Sequence, residues 1–220
     1  MVKNPMAYEH IKPELVGNHQ RVLVSDLAGK SNVEYKAKEL GIDLAKDDTL
    51  SKKIVHEVKL MEDRGFQFDA ADASLSLFIK RTIGEFVDPF KLEHLNVNIS
   101  RRGNVPYLST AIIKISVAGK EGEITAGDGN GPVNALDQAL RKALTKFYPQ
   151  IEEVRLVDFK VRTLEGSEGT AAGVRVLLDS TDGEEVWSTI GVSENIIEAS
   201  WQALVDSIEY KLSKDNLNIK

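Results

Sequence analysis

The chain contains no cysteine, which excludes disulfide bridges, cysteine-ligated zinc and thiol catalysis and fits a reducing compartment. Its four histidines, His10, His19, His56 and His94, are scattered. His56 has no partner histidine at the i, i+4 spacing by which a helix holds a metal, and it reads as a structural or surface residue. No apolar run approaches the roughly 18 residues of a membrane-spanning helix, and no signal-peptide pattern follows Met1, so a cytoplasmic protein without a membrane partner is expected. Positive charge is also short. With 28 Lys and Arg against 34 Asp and Glu, the chain has no field to attract nucleic acid or an anionic bilayer. The doublet Arg101-Arg102 beside Gly103 reads as a solvated turn.

The remaining composition is ample for folding. A chain of 220 residues that is 42% hydrophobic can bury a real core in one large or two small domains. Residues 1–85 read as a mainly helical segment. SNVEYKAKELG opens with a capping box at Ser31 and Glu34 and stops at Gly41. DTLSKKIVHEVKLMEDRG places Leu50, Ile54, Val55, Val58 and Met61 on one stripe before Gly65. A third helix is expected from about Asp69 to Gly84.

From Phe90 the period changes. KLEHLNVNISRR and YLSTAIIKISVAG read as a hairpin, EGEITAG as a third strand, and TAGDGNGPVNALDQALRKAL as a glycine-rich turn entering a helix that ends near Phe147. Shifted by 64 residues, the chain meets itself. Ser116, Gly119, Glu121, Thr125, Gly127, Ala135, Gln138, Ala139 and Leu140 face Ser180, Gly183, Glu185, Thr189, Gly191, Ala199, Gln202, Ala203 and Leu204. Nine identities in 25 positions exceed the one or two expected at roughly 6% per position. The fold class is therefore α+β, with a duplicated βββα domain over residues 86–220 and Ser193 expected as the N-cap of its second helix.

The turn before the first helix invites a dinucleotide reading, but Pro132 occupies the third glycine position of G-x-G-x-x-G and no acid-ended strand completes the unit. Gly129 and Gly131 meet Ser193 and Asn195 in the second copy; only Gly127 and Gly191 are shared. The extra glycines are thus not demanded by the fold alone, which points to a ligand. Two helix N-termini favour a carboxylate or phosphate. Neither turn holds Lys or Arg, so the carboxylate of a free aliphatic amino acid fits better. Candidate residues are Gly127, Asp128 (for an ammonium group), Gly129, Asn130, Gly131, Pro132 and Val133 in the first copy, and Gly191, Val192, Ser193, Asn195 and Ile196 in the second. Core packing of the aliphatic members is the competing reading.

GDGNGPVNALDQALRKAL followed by STIGVSENIIEASWQAL resembles the carboxy-terminal regulatory domain of the 2-isopropylmalate synthase and citramalate synthase family, and YEHIKPELVGNHQRVLVSDLAGKSNV resembles its accessory segment, on the citramalate side. The resemblance covers nearly the whole chain. It implies a homodimeric regulatory domain that binds isoleucine, or next leucine, and feedback-inhibits a distant catalytic barrel. That barrel's D-x-x-x-R-D-G segment and H-x-H pair do not occur, so no cofactor is expected within these residues, while the parent enzyme would use a divalent metal and acetyl-CoA. The chain reads as a piece cut just past the barrel. The family's tyrosine that reaches the partner's active site matches Tyr35, whereas its His-Ser-Gly stretch reads Leu27-Ala28-Gly29 here. The reading from another class is a ligand-free dimerisation or scaffold module.

Overall fold

The computed structural model describes residues 48–101, 103–120, 122, 124–164 and 169–215, together with Glu34, Ala37 and Lys38. The rest of the expected Ser31–Gly41 helix, Tyr35 included, lies outside the described residues. Helix α1 (Asp48–Asp63) buries Ile54 and Val58 from its apolar stripe, leaves His56 exposed, and gives way to Gly65 at φ +103°. A short 3-10 turn at Phe68–Ala70 occupies the start expected for the next helix, so α2 begins at Asp72 and runs to Ile83. Gly84, left-handed at φ +77°, ends it and directs its amide back to the Arg81 carbonyl.

Two antiparallel three-stranded sheets come next. The first holds β1 (Phe90–Ser100), β2 (Leu108–Val117) and β3 (Ile124–Gly129), and leads into α3 (Pro132–Leu144). The second holds β4 (Arg155–Thr163), β5 (Val174–Thr181) and β6 (Val186–Ser193), and leads into α4 (Ile196–Lys214). Duplication is visible in the details. Each first strand carries an irregularity at the matching place, Leu92/His94 and Leu156/Asp158. The Thr125 hydroxyl donates to the Ala139 carbonyl at 3.0 Å, as Thr189 does to Ala203 at 2.8 Å.

The middle strands correct the sequence alignment. Ile113 stands opposite Thr125 as Leu178 stands opposite Thr189, an offset of 65 residues for β2 and β5 against 64 for β3 and β6. Side chains alternate between faces, so Ser116 and Ser180 are not counterparts. Ser180 points inward to Ser207 of α4, whereas Ser116 lies on the opposite face from its buried neighbours Ile115 and Val117. The first copy has a tight turn at Ala118-Gly119, both at positive φ, plus one extra residue before β3.

Ile113 and Ile115 of β2, Val176 and Leu178 of β5, Leu136, Leu140 and Leu144 of α3, and Leu204, Ile208 and Leu212 of α4 share one core. A smaller core joins α1 and α2 to the outer face of the second sheet through Phe68, Leu75, Ile79 and Ile190. The junction is also polar. Ser74 donates to Asp206 at 2.6 Å and accepts the Ile190 amide at 3.0 Å, Lys80 donates to Ser213 at 2.7 Å, and Arg175 reaches back to the Gly65 carbonyl and Gln67. Arg81 of α2 binds Asp206 and Glu209 of α4 and also Asp88.

Burial pushes the Glu209 carboxyl up to about 8; Arg81 opposes this, and the charges of Asp206 and Asp88 add to it. A folded-state value above the unfolded one means that the stabilising contribution is complete below about pH 4.5 and is lost as pH rises through 8. Glu209→Gln keeps the shape and removes the charge. Denaturant unfolding at pH 5 and pH 8.5 should show the variant gaining roughly a few kcal/mol relative to the parent chain across that interval. An unchanged difference would count against a protonated Glu209.

Candidate functional site

The sequence-predicted residues fall on two equivalent strand-to-helix turns that differ in detail. In the first copy Gly127 and Gly129 face α3. A Cβ on Gly127 would lie 2.5 Å from the Ala139 nitrogen, and one on Gly129 would lie 2.4 Å from the Ala135 nitrogen. Gly129 is therefore required by helix packing, which corrects the expectation that the extra glycines exceed what the fold demands. Gly131 differs. It is extended, at φ −159°, and a Cβ there would meet nothing within 4 Å.

Gly131 is the N-cap residue of α3 and supplies no side-chain cap, and Pro132 at the first helical position has no amide hydrogen. The first intrahelical bond of the ladder runs from the Ala135 amide to the Gly131 carbonyl at 3.0 Å, so the helix provides no acceptor for the amides of Val133 and Asn134. The Asn134 side chain accepts from the Asn130 amide at 3.3 Å. Asp128 sits between two helix-facing glycines, and alternation turns it to the other face of the sheet, where the Thr110 hydroxyl donates to it at 2.9 Å. The structure does not bring its carboxylate to the helix start.

The second turn closes itself. Asn195 is the N-cap of α4 and its Oδ1 accepts the Ile197 amide at 2.9 Å, while the Ser193 hydroxyl accepts the Asn195 amide at 3.1 Å. The expected cap at Ser193 is thus corrected to Asn195: Ser193 ends β6, two residues before the position from which a side chain reaches the first-turn amides. A Cβ on Gly191 would lie 1.9 Å from the Ala199 carbonyl oxygen. Gln202 of α4 accepts the Val192 amide at 3.0 Å. Val133 and Ile197 occupy equivalent places and pack against the main core, Val192 packs against the smaller one, and Ile196 is exposed. For Val133 and Val192 core packing describes their surroundings.

Val192, Ser193 and Gln202 also border an open cleft of about 740 Å³ with Met61, Arg64 and Phe66 from the helical segment. Among the described residues no group of three His, Asp or Glu side chains could hold a metal ion. No helix among them is long and apolar enough to cross a membrane. One polar residue near the first turn is absent from the sequence-predicted set. Ser109 is 1% exposed, and its hydroxyl has no hydrogen-bond partner among the described residues. It pairs in register with Gly129 and so shares the α3 side of the sheet. The available signal is the alternation in LSTAIIKISV, which puts a hydroxyl on the face of Ala111, Ile113 and Ile115.

Residues 69–212 match the family described as the LeuA allosteric (dimerisation) domain, and residues 1–66 match the homocitrate synthase post-HMGL domain-like family. The chain is 52% identical over 217 residues to an (R)-citramalate synthase of Aquifex aeolicus, covering 98% of this chain and 41% of that protein. It is 51% identical to the (R)-citramalate synthase of Geobacter sulfurreducens, over 96% of this chain and 40% of the relative. With that of Methanocaldococcus jannaschii it shares 31% identity, over 97% and 41%. The chain thus spans about two fifths of the length of the curated relatives it matches.

The packing of the glycines is directly testable. Gly191→Ala should cost about 3 kcal/mol or more in urea unfolding, because the new methyl meets helix backbone that cannot rotate away. Gly131→Ala should change stability by no more than about 1 kcal/mol. Equal losses at both positions would contradict the close approach.

Proposed function

The chain belongs to the LeuA allosteric (dimerisation) domain family, and from that premise we propose that it is the regulatory and dimerising part of an (R)-citramalate synthase whose effector is a branched-chain amino acid, isoleucine ahead of leucine. The observation that carries the reading is the contrast between the two helix starts. That of α4 is capped by Asn195 of its own chain, whereas that of α3 has a glycine and a proline and leaves two amides to an outside acceptor. A carboxylate suits such a helix end, and the extended backbone at Gly131 lets it approach closely. On this reading the metal and acetyl-CoA chemistry belongs to a catalytic barrel outside these residues, and Tyr35 is the residue that the family resemblance assigns to that active site. The ligand-free dimerisation module is the second reading; it is favoured by Gly127 and Gly129, which packing alone explains.

Thermal scans against isoleucine, leucine, valine, alanine and NAD separate the two readings. Isoleucine at 100 times its dissociation constant should stabilise the fold by roughly 2.7 kcal/mol, and valine should give less because it lacks one methylene. Gly131→Val should abolish the shift with the fold intact. A response to NAD and to no amino acid would overturn the regulatory reading, and no response at all would favour the ligand-free module.

The dimer is proposed to form through β4. This edge strand is exposed at eight of its nine residues, and it presents Val157, Phe159 and Val161 at 60%, 40% and 39% exposure. A bare apolar edge of this kind calls for a partner. Phe159→Glu should convert a dimer at tens of micromolar into a monomer by light scattering, and a persistent dimer would move the interface elsewhere.

A further inference from the structure

We infer that Asn130-Gly131 is a site of spontaneous covalent modification, at which the Gly131 amide nitrogen attacks the Asn130 side-chain carbonyl, ammonia leaves, and hydrolysis installs an isoaspartate or aspartate just ahead of α3. The inference stands whether or not an effector binds. A new bond joins the Gly131 nitrogen to Asn130 Cγ in a cyclic imide, the bond from Cγ to Nδ2 breaks, and the Gly131 amide proton departs in the ammonia. Water then opens the ring. Attack at the main-chain carbonyl carbon leaves the chain linked through Cγ, which is isoaspartate, and attack at Cγ leaves an ordinary aspartate. Either product carries a negative charge that asparagine lacks, and water is the only co-reactant.

The turn leaves both reacting groups free. Asn130 is exposed, and among the described residues neither its side chain nor the Gly131 amide makes a hydrogen bond; only the Asn130 main-chain amide is engaged, by Asn134 at 3.3 Å. Gly131 is extended, and a Cβ there would meet nothing within 4 Å, so the attacking nitrogen has neither a side chain of its own nor a neighbour to crowd it. That nitrogen also stands at the positive end of a helix of 13 residues, a field that favours the amide anion that attacks.

Comparable pairs elsewhere are blocked. In the second copy the equivalent nitrogen, that of Asn195, donates to the Ser193 hydroxyl at 3.1 Å. The Asn195 side chain is itself held by the Ile197 amide, and β-branched Ile196 follows it. Asn96 and Asn98 lie in the β1 ladder before Val97 and Ile99, Asn134 lies within α3, and exposed Asn104 precedes Val105. The Asp-Gly pairs, which can close the same ring, are also restrained. Asp128-Gly129 is fixed in β3, while Asp182 accepts the Glu184 and Glu185 amides and the Gly183 amide donates to Thr181.

Incubation of the full chain in mildly alkaline buffer, folded and unfolded in guanidinium chloride, tests the inference when the products are mapped by mass spectrometry of their peptides. Isoaspartate is read separately, by methyl transfer from S-adenosylmethionine with a purified isoaspartyl methyltransferase. In the folded chain the mass gain of amide-to-acid exchange should fall at Asn130 ahead of every other described asparagine, no more slowly than in the unfolded chain. Isoaspartate should be among the products. Gly131→Ala should slow the gain by about tenfold or more, since a Cβ crowds the attacking nitrogen. Asn130→Gln should remove it from this turn, with the circular dichroism of the parent chain retained. Modification of Asn130 only after unfolding would show that the turn protects it and would overturn the inference. So would an undiminished rate in Gly131→Ala, or equal modification of Asn104 and Asn130 in the folded chain.

Discussion

The architecture depends on the contact of β3 and β6 with the backbones of the helices that succeed them. Gly127 and Gly191 bring strand and helix closer than any side chain permits, and Thr125 and Thr189 fasten that approach with a hydroxyl bond to a helix carbonyl. Once strand and helix are locked at that distance, the connecting turn has little freedom, and the first helical residues must lie at the end of the sheet. A tight turn of this kind leaves few ways to satisfy the first-turn amides, so the two or three residues after the strand decide whether the helix end is closed or open.

The duplicated units use this frame differently. The second is embedded. Its outer sheet face receives α1 and α2, its edge amides at Ile190 and Val192 bond to Ser74 and Gln202, and its helix carries the Asp206 and Glu209 carboxyl groups that contact Arg81. The first is exposed on its outer face, where Ile112 and Ile124 remain partly or largely in solvent. Anchoring to the helical segment is thereby assigned to one copy of the motif, and the junction at Ile190 sits one residue from the close approach at Gly191.

Much of this is legible in the sequence because the signals are local or periodic. The helix stripes, the terminating glycines, the hairpins and the repeat all arise from spacing. The hidden features depend on neighbours distant in the chain. Gly129 looks dispensable in the sequence because its equivalent is Ser193, yet the backbone of α3 stands against it. Asp128 looks available to a ligand at the helix start, but its place between two helix-facing glycines turns it away. Ser193 and Asn195 are both good capping residues, and only the point where β6 ends distinguishes them. Ser109 is a single serine in an alternating strand, and it carries no chemical signal until its register with Gly129 is known.

The one-residue difference between the middle strands bears on how such a protein can recombine. A crossover from the first copy to the second within β3 and β6 joins residues at the same offset and keeps every side chain on its own face. A crossover guided by the same alignment within β2 and β5 would slip the remaining strand by one position and turn Leu178 and Ser180 outward. The two halves of this molecule are therefore exchangeable at their strand-to-helix turns and not in the middle of their sheets, so an open and a capped helix start can be shuffled while the packed strands pass on intact.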